Sequence, residues 1–178
     1  MSPRLIVVTG MPGTGKTTLA RLLARRFGMP LLCKDAIKEP LMDALGAGDV
    51  ARSRRLSDAS FAALFVVARE LIDARQDLIL EGNFRPCEHG ETLRAFAPAH
   101  TAQILCQLDE AERLHRLAAR RSDSQRHQGH REDDPTVRAD RTSDAFLELA
   151  GERHTFSALS ESAASPILAA LDAFRQGK

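Results

Sequence analysis

Short apolar runs alternate along this chain with longer segments whose apolar residues recur every three or four positions, the pattern of strands and helices in turn. Leu5 to Thr9, Leu31 to Cys33, Asp77 to Glu81 and Ala102 to Leu108 read as strands. Helices are expected over Lys16 to Phe27, Asp35 to Leu45, Leu56 to Arg75, Glu88 to Phe96 and Ala111 to Arg121. The third carries Phe61, Leu64, Phe65, Ala68, Leu71 and Ile72 on one face. Leu5 to Val8 and Leu78 to Leu80 are apolar throughout rather than alternating, as strands covered on both faces must be. The pattern predicts an α/β fold: a three-layer sandwich around a parallel sheet of about five strands. His154 to Leu159 reads as the fifth strand and Pro166 to Arg175 as a closing helix, although the Ser/Ala-rich stretch 157–165 carries little pattern.

At 178 residues and 43% hydrophobic, the chain suits one globular domain spanning 1–178. Its formal net charge of +1 gives no global field toward nucleic acid or a membrane surface, so a polyanion would need a local patch. The longest clean apolar run, Phe61 to Ala68, is too short to span a bilayer. The apolar N-terminal stretch lacks the length and cleavage pattern of a signal peptide. A cytoplasmic protein without a membrane partner is expected. Cys33, Cys87 and Cys106 are widely spaced and form no C-x-x-C pair, which argues against a disulfide framework or a zinc site.

Between the first strand and the first helix lies Gly10-Met11-Pro12-Gly13-Thr14-Gly15-Lys16-Thr17, which satisfies every fixed position of the phosphate-binding loop G-x-x-x-x-G-K-[ST]. The chemistry requires these residue types. Glycines at 10, 13 and 15 permit the positive φ values that turn successive amides inward around an anion, and the helix beginning near Lys16 adds its positive end. Lys16 is expected on the β- and γ-phosphates, Thr17 on Mg²⁺, and Thr18 beside them at the nucleotide. The competing explanation, a glycine turn with an incidental lysine, is disfavoured by the flanking strand and helix.

Asp35 stands just past the second strand, at the carboxyl edge where open α/β sheets place their ligands. A carboxylate there can orient an acceptor hydroxyl and take its proton during phosphoryl transfer, or it can cap the helix that follows. Ser122 to Arg138 is the one distinctly polar segment, mixing acidic side chains with Arg126, Arg131, Arg138, His127 and His130, and reads as a lid over 122–138. The two histidines form no recognised metal pattern and read as solvated.

Taken together, G-M-P-G-T-G-K-T, then Cys33-Lys34-Asp35-Ala36-Ile37-Lys38-Glu39, then Leu78-Ile79-Leu80-Glu81-Gly82-Asn83-Phe84, resemble the small P-loop kinases that include the phage polynucleotide 5′-kinase, chloramphenicol phosphotransferase and zeta-toxin kinases. The resemblance implies ATP and Mg²⁺ as cofactors and a general base at Asp35. It places Lys38 near the reacting phosphate or the acceptor, where the polynucleotide kinase pattern has Arg; Lys cannot make the bidentate contact of a guanidinium. It puts Glu81 and Asn83 at a strand end, either holding a Mg²⁺-bound water or contacting the acceptor, with Arg85 as a further acceptor contact. It also implies lid arginines that neutralise charge on the transferring group: Arg120 toward the nucleotide and Arg126 toward the phosphoryl group, with Arg121 beside them.

Arg52, Arg54 and Arg55 read as a loop flanking the third helix, either solvated or facing a phosphate on the acceptor. The expectation is thus a kinase that transfers the γ-phosphoryl group of ATP to a hydroxyl of a small molecule or of a polynucleotide 5′ end. A nucleoside or nucleotide kinase is the enzymatic alternative, and a slowly hydrolysing ATP-binding switch acting through a partner is the non-kinase one. No N-K-x-D motif for guanine occurs.

Overall fold

The computed structural model describes residues 2–120, 127, 142–157 and 161–176. Five parallel strands, β1 (Arg4–Gly10), β2 (Leu31–Cys33), β3 (Leu78–Glu81), β4 (His100–Cys106) and β5 (Glu152–Phe156), form one sheet in the order β2-β3-β1-β4-β5. Six helices among the described residues complete the layers: α1 (Lys16–Phe27), α2 (Lys34–Leu45), α3 (Val50–Asp73), α4 (Pro86–Arg94), α5 (Glu110–Arg120) and α6 (Glu161–Gln176). This is the expected α/β sandwich.

Alternate residues of β1 supply two separate cores. Ile6 and Val8 face a layer with Leu19, Leu23, Ile104, Ile167 and Leu171, from α1, β4 and α6. Leu5 and Val7 face Phe61, Leu64, Leu80, Phe84 and Leu93, from α3, β3, α4 and the turn before it. Because both faces are covered, all four residues are fully buried, which is why β1 shows no polar alternation.

Several boundaries differ from the sequence reading, among them the start of α6, at Glu161 and not Pro166. Helix α3 begins at Val50, not Leu56, with Asp49 as its N-cap accepting from the Arg52 amide, so Arg52, Arg54 and Arg55 lie on the helix and not in a loop. The apolar spacing starts only at Leu56, because the turn before it carries no large apolar side chain: Arg54 and Arg55 are exposed, Arg52 donates its Nε to the Gly46 carbonyl at 2.9 Å, and the buried residue is Ser53. Strand β4 stops at Cys106, two residues early, and β5 starts at Glu152 and ends at Phe156, earlier than expected. Most of β5 is exposed edge, so its first residues are polar and gave no apolar signal. Apart from His127, the 122–138 lid, Arg121, Arg126 and His130 lie outside the described residues.

Candidate active site

The carboxyl ends of β1, β2 and β3 converge on one edge, where the register sets Val8 and Cys33 beside Glu81. From β1 the chain enters the glycine loop. Gly10, Gly13 and Gly15 have φ of 144°, 90° and 85°, so three residues of the loop use backbone that side chains disfavour. A Cβ on Gly10 would also lie 2.3 Å from the Cys106 carbonyl oxygen, which makes that close approach specific to glycine. Gly15 is the N-cap of α1 and offers no side-chain cap, so the first-turn amides of this 12-residue helix are left to an external acceptor. The loop is thereby shaped for phosphate.

Lys16 is buried, its Nζ 3.5 Å from the Met11 carbonyl and 4.0 Å from Glu81 Oε1. Thr14 Oγ1 donates to the same Met11 carbonyl at 2.8 Å. Thr17 is half-buried in the first turn, whereas Thr18 is exposed. Glu81 is 1% exposed, and its second oxygen, Oε2, accepts from Cys33 Sγ at 2.6 Å. Burial, reinforced by that carboxylate, pushes the Cys33 thiol up to about 12, so it remains S–H and a donor.

Helix α2 begins directly after β2, with Cys33 as its N-cap, so Asp35 sits inside the first turn and not at the capping position. Its Oδ1 accepts from Lys34 Nζ at 2.9 Å, and its side chain is 36% exposed, leaving it open to the crevice edge. Lys34 and Lys38 are both 5% exposed. Lys34 Nζ stands 5.7 Å over the Phe61 ring, and Lys38 Nζ lies 2.9 Å from Ser53 Oγ. Lys34 escaped the sequence reading because lysine is ordinarily a surface residue; its place beside Asp35 was the available signal.

Beyond β3, Asn83 is half-buried and Phe84 fully buried. Arg85 Nη2 meets Glu88 at 2.6 Å and Asp58 at 3.7 Å, while its Nε is buried with no hydrogen-bond partner. The Arg85 amide donates to His89 Nδ1 at 2.9 Å. His89 packs with its ring centre 4.0 Å from that of Phe61, tilted by 36°, and burial, then the charges of Arg85 and Lys34, lower it to about 4, so it stays neutral. Phe61, Phe65, Phe84 and His89 thus floor the region where Asp35, Lys34 and Arg85 gather.

On the opposite flank, Arg120 closes α5. His127, expected in solvent, instead lies with Nε2 2.9 Å from Asp43 Oδ1 at the end of α2. A second residue that the sequence reading missed is Arg113. Fully buried at 2% exposure, it reaches the Pro12 carbonyl of the glycine loop at 3.3 Å. Its signal was position: Arg113 precedes the buried Leu117 by four residues, on the inward row of α5.

A glycine loop joining the central strand of a parallel 2-3-1-4-5 sheet to its first helix, with Glu81 on the neighbouring strand end and Asp35 in the first turn of α2, defines a P-loop kinase-like domain. The chain belongs to the family described as AAA domain, whose model matches residues 5–149. A candidate kinase from Chloroflexus aurantiacus J-10-fl is 32% identical, with a TM-score of 0.85 over 97% of this chain and 98% of that one. An unliganded sugar kinase from Janibacter sp. HTCC2649 superposes with a TM-score of 0.67 at 17% identity, covering 96% and 95% of the two chains. The APS kinase CysC of Mycobacterium tuberculosis, solved with AMPPNP and APS, does so at 0.61 and 18%, covering 96% and 98%. These last two share the fold. Among curated proteins none matches the chain. No helix among the described residues is long and apolar enough to cross a membrane.

Proposed function

We propose that the protein is a Mg²⁺-dependent kinase that transfers the γ-phosphoryl group of ATP to a hydroxyl of a small molecule or a polynucleotide 5′ end. The observation that carries this reading is the linkage through Glu81: one oxygen faces the loop lysine, and the other accepts from Cys33, two residues before Asp35. The phosphate loop and the carboxylate suited to an acceptor are thereby fixed to one strand end.

The residues fit nucleotide and metal. The loop's positive-φ glycines and uncapped α1 N-terminus suit a polyphosphate, and Lys16 supplies a cation to the β- and γ-phosphates. Thr17 would hold Mg²⁺, with phosphate oxygens and water completing the ion's coordination. Bound Mg²⁺ supplies charge neutralisation as the phosphoryl group moves.

Asp35 orients the acceptor hydroxyl and takes its proton as the new O–P bond forms and the bond to the ADP oxygen breaks. Lys34 holds that carboxylate in place through an ion pair at 2.9 Å. Lys38, Asn83 and Arg85 line the acceptor side over the Phe61 and Phe84 floor, and Arg120 and Arg126 serve the nucleotide and the developing charge. The likeness of the Mycobacterium protein, solved with AMPPNP, supports ATP. The test is ADP release over a panel of sugars, nucleosides, hydroxylated antibiotics and 5′-hydroxyl oligonucleotides. Stimulation by an acceptor, with a phosphorylated product, supports the reading; ADP release that no acceptor stimulates but a protein partner does would replace it with a switch.

A further inference from the structure

A phosphate-binding loop works only if its amides point inward, so its carbonyls must find partners outside. The Met11 carbonyl is held by Thr14 and Lys16 within the loop itself. Pro12 has no amide hydrogen, so its carbonyl is its only backbone hydrogen-bonding group. That carbonyl accepts from Arg113 Nη1 at 3.3 Å, across 101 residues of sequence. The guanidinium is fixed in turn by Glu110, through Nε to Oε2 and Nη2 to Oε1, both at 2.9 Å. This bidentate pair also offsets the cost of burying the Arg113 charge. The stem packs just as closely: a Cβ on Gly13 would meet Arg113 Cγ at 3.2 Å and Leu117 Cγ at 3.1 Å. Asp109 starts α5 at the required place, its Oδ1 accepting from the Ala111 and Glu112 amides at 2.9 and 3.4 Å.

We infer that Arg113, oriented by Glu110, is a positioning residue that holds the glycine loop in its anion-binding shape by tying down the Pro12 carbonyl from α5. The inference rests on the nucleotide reading of the loop and adds to it a determinant of affinity outside the motif. Lysine at 113 keeps the charge but cannot hold Glu110 at two points and Pro12 at a third.

The test is calorimetric titration of the whole protein with Mg²⁺·AMPPNP, for wild type, Arg113→Lys and Glu110→Gln, alongside thermal unfolding without nucleotide. The expected result is binding weakened about 10- to 100-fold in Arg113→Lys and less in Glu110→Gln, as for loss of a hydrogen bond to a charged group. A merely structural arginine would lower the unfolding midpoint while leaving the affinity of the folded protein unchanged, and that result overturns the inference. Should Arg113→Lys fail to fold, Glu110→Gln decides alone: weaker AMPPNP binding sustains the positioning role, and wild-type binding refutes it. If the wild type itself binds no AMPPNP, the nucleotide reading of the loop fails and the inference falls with it; wild-type binding that the variants match removes the inference alone.

Discussion

The Lys16 ammonium lies 4.0 Å from Glu81 Oε1, so the cation of the phosphate loop and the carboxylate at the tip of β3 form one buried pair. The sheet sets this up: β3 runs beside β1 with Glu81 level with Val8, two residues before the loop begins at Gly10. The pair gives each buried charge an opposite partner, which makes each residue dependent on the other.

That dependence is measurable. Lys16→Met should lower kcat by about 10²- to 10³-fold, the usual effect of removing a group that stabilises transition-state charge. Glu81→Gln should lower it as well. Because the two act as a unit, the double variant should lose less than the product of the single effects. Full multiplicativity in steady-state kinetics would show that the pair is not coupled.

His89 makes stability depend on pH. Above about 6.5 it is neutral in both folded and unfolded chains and contributes nothing to the pH dependence. As pH falls below that value the unfolded chain takes up a proton that the folded one refuses until about 4, so stability is lost across this window. The interval from 6.5 to about 4, at about 1.4 kcal/mol per pH unit, makes the loss roughly 3 kcal/mol. Urea unfolding at stepped pH should show it in the wild type and a flatter curve in His89→Gln. Parallel curves would mean that the buried ring is not resisting protonation.

The three thiols should separate cleanly. Cys87 is exposed, whereas Cys33 and Cys106 are buried, and burial pushes both of the latter up to about 12. A thiol-reactive disulfide reagent at neutral pH should therefore titrate one cysteine quickly and the other two only on unfolding. Rapid modification of a second cysteine in the native protein would contradict the burial of Cys33, and with it the hydrogen bond to Glu81.

Much of this was legible in the residues themselves. The fixed spacing of Gly10, Gly15, Lys16 and Thr17 located the loop, and the unbroken apolar runs of β1 and β3 announced a parallel sheet covered on both faces. What stayed hidden were charged residues pointing inward. Lys34, Lys38 and Arg113 are all at most 5% exposed, yet nothing in a lysine or an arginine codes for burial; partners distant in sequence, Phe61, Ser53 and Pro12, accommodate them. The start of α3 was hidden for the opposite reason, since its first turns are mostly exposed and have no apolar stripe to read.

The most direct test of the account is Asp35→Asn, assayed for Mg²⁺-dependent transfer of labelled γ-phosphate from ATP to an acceptor found in the panel, with AMPPNP affinity measured in parallel. The account predicts transfer reduced about 10²- to 10⁴-fold, the range for loss of a general base, with nucleotide affinity nearly unchanged. Transfer at the wild-type rate in a variant that binds AMPPNP normally would contradict it.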